Sequence, residues 1–173
     1  VDMSECYEKF LRYIPQGGKI LDAACGSGRD CKYFKDLGYK VSAFDASSEI
    51  VKLATEYSGV DVDHLSFDQI KYKEQFDGVW ACSCLLHVDS NEIESCVQKL
   101  TNGLIPGGFI YISLKEYQSS IPDGGRHFSY FTRIEVEQMI KNQTYNMRDR
   151  PSQHKVSKVW AKDNGGAIPQ NFF

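Results

Sequence analysis

The chain has 173 residues, 42% of them hydrophobic, and a formal net charge of −3, which suits one soluble domain with a core of its own. It contains no apolar run near the roughly 18 residues that span a bilayer and no basic segment leading into an apolar one, so a cytoplasmic protein without a membrane partner is expected. Its 20 Lys and Arg residues are scattered rather than clustered, which disfavours nucleic acid as a partner.

In chain order, Tyr7, Phe10, Leu11 and Ile14 predict a short amphipathic helix lying over the mouth of a sheet. A first strand follows over Lys19 to Cys25, then a helix with Tyr33, Phe34 and Leu37 inward that stops at Gly38. Lys40 to Ala46 is the second strand. Ser47 caps a helix whose Ile50, Leu53, Ala54 and Tyr57 share one face and which ends at Gly59. A third strand lies within Val60 to Phe67 and a fourth within Phe76 to Val88, the latter too apolar for an exposed edge.

Asp89 and Glu92 form a capping box for a helix with Ile93, Cys96, Val97 and Leu100 inward. Ile105 to Gly108 turns the chain into a fifth strand, Phe109 to Glu116. Thr132 and Glu135 open a further helix carrying Val136, Met139 and Ile140, His154 to Asp163 reads as a sixth strand, and one more strand begins at the closing Asn-Phe-Phe. Strands and helices alternate without repeats. The expectation is one α/β domain over residues 1–173: a doubly wound, Rossmann-like, mostly parallel sheet with helices on both faces, incomplete if the last strand is missing. Val1 stands where an initiating Met would, so ends that are processed, cut or unobserved are expected as well; a monomer or homodimer is expected, an unpaired last edge bringing poor behaviour in solution or a dimer.

Six cysteines lack CxxC spacing and read as reduced thiols. Cys82 and Cys84 alternate along the expected fourth strand and so point to one face, but no further ligands complete a metal site, and none is expected.

Chemistry concentrates at Ile20 to Asp30, "ILDAACGSGRD". Gly26 and Gly28 sit between a strand and a helix on the rim formed by the carboxyl ends of parallel strands, where ligands of such sheets bind. A dinucleotide site needs a third glycine where this chain has Cys31, and Asp30 puts negative charge where a pyrophosphate would rest. A nucleoside without phosphates fits better. Asp45 at the end of the second strand can accept from ribose hydroxyls, while Phe67 can lie against a purine ring and Asp68 accept from its exocyclic amine.

Four stretches, "ILDAACGSGRD", "VSAFDAS", "FDGVWACSCLLHV" and "GLIPGGFIYISLK", together resemble the signature regions of class I S-adenosylmethionine-dependent methyltransferases, in order and spacing, from about Tyr7 to Ile140. Small bacterial methyltransferases of the tellurite-resistance or general type are the most similar in these stretches. The chain departs from them at Ala24, where the family usually has its first glycine; alanine suits that place if its φ is negative. The resemblance implies S-adenosyl-L-methionine as cofactor and S-adenosyl-L-homocysteine as product. It further implies that Asp22 lies behind the loop and reaches the donor's ammonium directly or through water, that backbone groups near Ala24, Gly26 and Ala81 hold the methionine portion, that Asp45 serves the ribose and Phe67 with Asp68 the adenine, and that Cys25, Gly28, Ala46 and Cys82 belong to the same cofactor site. Arg29 is a carboxylate partner or an exposed helix residue. A sulfonium donor favours negative potential at this rim, where diphosphate would be repelled.

Methyl transfer requires alignment of nucleophile, methyl and sulfur more than any obligatory side chain. His87, at the end of the expected fourth strand, is a candidate base or a structural histidine. Arg126, His127, Phe128 and Tyr130, in the segment Asp123 to Phe131, are candidates for the acceptor side, with Gly124 and Gly125 as a hinge. The expected activity is methyl transfer to a small molecule by in-line displacement; the alternative is a regulatory module that binds the cofactor without catalysis.

Overall fold

The computed structural model describes residues 2–113. They form five parallel strands and four α-helices: α1 (Ser4–Leu11), β1 (Lys19–Ala23), α2 (Arg29–Asp36), β2 (Lys40–Asp45), α3 (Ser48–Ser58), β3 (Val62–His64), β4 (Phe76–Cys82), α4 (Ile93–Asn102) and β5 (Leu104–Ser113). The sheet order is β3-β2-β1-β4-β5 with every pair parallel. Strand order reverses between β1 and β4, leaving a crevice at their carboxyl ends. None of the described helices is long and apolar enough to cross a membrane.

Alternation along the strands divides the core into two layers. Leu21, Ala23, Val79, Ala81, Ile110 and Ile112 pack under α4 with Ile93, Val97 and Leu100. The opposite residues, Ile20, Trp80, Phe109 and Tyr111, pack with Tyr7, Phe10 and Ile14 from α1 and its exit, and with Phe34 of α2. Helices thus cover both faces, as the strand-helix alternation requires. Gly78 of β4 admits α1: a Cβ there would stand 2.6 Å from the Phe10 ring and 2.5 Å from Ile14 Cδ1. The first helix therefore packs on a face of the sheet instead of lying over its mouth, because its aromatic residues fill the hollow above this glycine.

Several local expectations change. Leu37 is 44% exposed and lies past the end of α2, whose buried residues are Asp30, Cys31 and Phe34. Leu53 and Tyr57 are 58% exposed each, and α3 instead buries Ala54 and Ser58. Only small side chains fit where α3 crosses the glycine loop, which decided the face. Ser47 does cap α3, its hydroxyl accepting from the Ile50 N–H. α4 starts three residues later than an N-cap at Asp89 would set it. Glu92 is the N-cap without a side-chain bond, and its N–H donates to the Asp89 carbonyl at 2.8 Å in a turn preceding the helix.

β4 ends at Cys82, six residues short of the expected limit, because Ser83 takes a left-handed φ of 54° and a single 3₁₀ turn follows over Leu85–His87. The Ile105–Gly108 segment is a bulge inside β5 rather than a turn before it: Phe76 pairs with Leu104 while Gly78 already pairs with Phe109, and Gly107 has φ 81°. The expected elements at Thr132, His154 to Asp163 and the closing Asn-Phe-Phe lie outside the described residues.

Candidate active site at the strand-order reversal

The loop between β1 and α2 is built by departures from ordinary backbone at three alternate positions. Ala24, Gly26 and Gly28 have φ of 49°, 55° and 77°. The condition for Ala24 is thus not met: it occupies the left-handed region despite its Cβ, a cost of roughly 1–2 kcal/mol relative to glycine's freedom there. The two glycines serve different ends. A Cβ on Gly28 would lie 2.9 Å from the Ala54 carbonyl oxygen, so this position is dictated by α3 pressing on the loop. A Cβ on Gly26 would meet nothing within 4 Å among the described residues, so that among them this face of the loop is open at the rim.

Asp45, the last residue of β2, holds the loop. Its Oδ2 accepts from the Gly26 N–H and its Oδ1 from the Ser47 N–H, each at 3.0 Å, while Cys25 N–H donates to the Phe44 carbonyl at 3.0 Å. A carboxylate has about four acceptor positions, so two remain. Ala46 is exposed at the rim, and its carbonyl meets His64 Nε2 at 3.0 Å.

Two acids stand behind the loop. Asp22 is only 2% exposed and its Oδ2 accepts from the Cys31 thiol at 3.0 Å. Burial pushes its carboxyl up to about 7, helped by the nearby Asp30 charge and opposed by hydrogen bonding from Cys31 and by Arg29. Asp30 is turned inward, not toward a ligand's phosphate position. Its carboxylate accepts from the Tyr7 hydroxyl, from Trp80 Nε1 at 2.8 Å and from Arg29 Nε at 2.7 Å. Burial and the Asp30 partner raise the Tyr7 phenol above its usual range.

On the other wall, Ala81 is fully buried and Cys82 is half-buried at the end of β4. Cys82 packs with the α1 layer whereas Cys84 packs with the α4 layer, so the two thiols lie on opposite faces, the strand having ended between them. All six cysteines are free, and no group of metal-binding side chains occurs among the described residues. Ser113 closes this wall, its hydroxyl accepting from the Ser83 N–H at 2.7 Å and donating to Cys82 Sγ at 3.6 Å.

Beyond β3, Phe67 is partly buried edge-on to Phe44, with ring centroids 5.4 Å apart, and Asp68 is exposed. Lys99 Nζ donates to the carbonyls of both residues at 3.1 Å, and the Ser66 hydroxyl bonds the Asp68 carboxylate, holding its pKa below the usual range. His87 is exposed at the end of the 3₁₀ turn and not on a strand. His127, Tyr130 and the rest of Asp123 to Phe131 lie outside the described residues. The Tyr7–Asp30–Trp80 cluster escaped the sequence reading, although an indole inside an apolar strand has an N–H that must find an acceptor.

A crevice at the point of strand-order reversal, walled by a glycine loop with an acid at the end of the next strand, defines a Rossmann-like α/β domain of the nucleoside-binding kind. The methyltransferase-domain family matches residues 20–108, just over half of the chain, and the chain belongs to that family, within the class I S-adenosylmethionine-dependent superfamily.

Among relatives, a tRNA (carboxymethyluridine(34)-5-O)-methyltransferase of Arabidopsis thaliana is 31% identical over 111 residues, 61% of this chain and 26% of that protein. A ubiquinone biosynthesis O-methyltransferase of Xanthomonas axonopodis pv. citri is 27% identical over 161 residues, 80% of this chain and 66% of that protein. Among solved structures, the Burkholderia thailandensis 1,6-didemethyltoxoflavin-N1-methyltransferase, crystallised with 1,6-didemethyltoxoflavin and S-adenosylhomocysteine, superposes with TM-score 0.69 at 22% identity over 82% of this chain and 66% of that one. The chain spans no more than two thirds of any of these three.

Proposed function

We propose that the chain is the donor-binding part of an S-adenosylmethionine-dependent methyltransferase acting on a small molecule, as one domain. The observation that carries this reading is the Gly26 face of the loop: left-handed, open, and pinned to Asp45, with a buried acid directly behind it. When bound, S-adenosylmethionine supplies an activated methyl group on a sulfonium. The residues present fit it. Asp45 keeps two acceptor positions for the ribose hydroxyls, and Ala46 borders them. Phe67 offers a ring face and Asp68 an acceptor for the adenine. Ala24, Cys25, Gly26, Gly28, Ala81 and Cys82 border the methionine portion, and Asp22 supplies negative potential for its ammonium.

The chain's contribution to transfer is orientation and exclusion of water by the walls of β1 and β4. His87, exposed beside the β4 wall, is the described candidate for taking an acceptor proton; His127 and Tyr130 are the others. A net charge of −3 supports a small acceptor over a polyanion, as does the toxoflavin precursor bound to the Burkholderia enzyme. Calorimetric titration with S-adenosylmethionine, S-adenosylhomocysteine and NADH tests the donor: binding of the first two and not the third is expected. Release of S-adenosylhomocysteine with small phenols, amines and acids, and not with tRNA, tests the acceptor. Turnover on tRNA alone would replace this acceptor, and binding without turnover on any substrate would favour a regulatory module.

A further inference from the structure

Asp30 is a buried acid to which the donor site as described gives no task. Its carboxylate nevertheless joins three elements: Tyr7 from α1, Trp80 from β4 and Arg29 beside it on α2 all donate to it. Around these bonds the Tyr7 ring is stacked on Tyr33 with centroids 4.0 Å apart, and the Trp80 ring on Tyr111 at 3.9 Å. The Tyr7 and Trp80 rings are themselves 5.2 Å apart. A burial this deep leaves the Asp30 side chain 10% exposed, too enclosed to meet a ligand. Yet it lies in the first turn after the glycine loop, and the Arg29 side chain that it grips is 48% exposed at that rim.

We infer that Asp30 is a positioning residue for the donor site, docking α1 onto the face of the sheet and holding the Arg29 guanidinium and the start of α2 in the geometry that keeps the glycine loop open. The inference rests on the donor reading above. A hydroxyl, an indole N–H and a guanidinium N–H are three donors of different reach, and only an ionised carboxylate in this place accepts all three; an amide in the same position has one oxygen to offer. Three charge-assisted bonds from three directions fix α2's first turn more firmly than an ordinary cap, and this helix has none, since its N-cap is Gly28.

Asp30 also acts on Asp22 through space. The groups facing Asp22 are Asp30, Arg29 and Cys31 on α2 and Cys84 beyond β4; burial is the main reason that Asp22 holds its proton, and the Asp30 charge adds to it. Removing that charge leaves Asp22 ionised at lower pH. A purely structural Asp30 would not reach into the pH dependence of ligand binding in this way.

The test uses the full chain and S-adenosylhomocysteine as probe, titrated calorimetrically between pH 5.5 and 8.5, on the unaltered protein, Asp30→Asn and Tyr7→Phe. Tyr7→Phe keeps the ring stack and removes one donor, so a weakening of about 3- to 10-fold is expected with the far-ultraviolet circular dichroism unchanged. Asp30→Asn should weaken binding more and move the pH midpoint of binding to lower pH, whereas Tyr7→Phe should leave the midpoint in place. Unchanged affinity in folded Tyr7→Phe, or an unchanged midpoint in folded Asp30→Asn, overturns the inference while leaving the donor reading intact. If Asp30→Asn does not fold, Tyr7→Phe alone decides. Absence of binding by the unaltered protein overturns the donor reading and this inference with it.

Discussion

The carboxylate of Asp45 accepts the backbone N–H of Gly26 at 3.0 Å, so the end of β2 fixes the loop that follows β1. One side chain both shapes the pocket and borders it. Replacing Asp45 with Ala should cost about 1.5–3 kcal/mol of stability, the range for a hydrogen bond to a charged group, and at least about tenfold in S-adenosylhomocysteine affinity. Asp45→Asn, which keeps one acceptor oxygen, should fall between. Urea unfolding and calorimetry on the same samples read both effects; a variant that loses stability but no affinity would remove Asp45 from the ribose site.

The two loop glycines should separate structure from binding. In Gly28→Ala the new Cβ meets the Ala54 backbone at 2.9 Å, and with φ at 77° the substitution is strained as well. A loss of about 2–4 kcal/mol is expected, combining overpacking with left-handed strain. Gly26→Ala has free space around its Cβ among the described residues and should lose only about 1–2 kcal/mol, the left-handed cost, while donor affinity collapses because the methyl occupies the open face. Equal stability losses in the two variants would contradict the assignment of separate roles.

Ala24 offers the converse experiment. Its φ of 49° means that Ala24→Gly relieves strain worth roughly 1–2 kcal/mol, less the 0.4–1 kcal/mol by which glycine loosens the unfolded chain. A net gain of about 0.5–1 kcal/mol is therefore expected from denaturant unfolding. A destabilised Ala24→Gly would show that the alanine methyl makes packing contacts that outweigh its backbone.

Asp22 predicts a pH effect with a definite sign. Its carboxyl is raised to about 7 in the fold from an ordinary 3.8, so between these values the folded chain keeps a proton that the unfolded chain has lost. Stability contributed at this site consequently declines as pH rises from about 4 to about 7 and is level above that. Asp22→Asn should abolish this decline. A cationic donor favours the ionised form, so S-adenosylmethionine binding near pH 7 should release protons, visible as a dependence of the calorimetric heat on buffer ionisation enthalpy. Heats that do not vary with buffer would place Asp22 out of electrostatic reach of the ligand.

Much of this fold could be read from the sequence because its strands are buried on both faces and its helices begin at strong signals such as Ser47. The glycine loop and Asp45 were legible for the same local reason: φ values that need glycine, and an acid placed at a strand end. What misled were places where distant elements decide. Leu53 and Tyr57 satisfy a helical stripe, but the loop against α3 tolerates only Ala54. The end of β4 hinges on a left-handed Ser83, which no glycine announced. Asp30 looked like a rim charge because its partners Tyr7 and Trp80 are far away in the sequence, and only the folded sheet brings them together.

The place of β1 between β2 and β4 also sets an order of assembly. Lys19–Asp45 is a local β-α-β unit whose α2 already offers Tyr33 and Phe34 to Tyr7 and Phe10, but the other edge of β1 has no partner until Phe76–Cys82 is made, and Phe10 lacks Trp80 and then Phe109. During synthesis the emerging chain thus carries an open strand edge through some thirty-five residues of elongation and a half-covered aromatic cluster through some sixty, a window in which chaperone engagement or aggregation competes with folding.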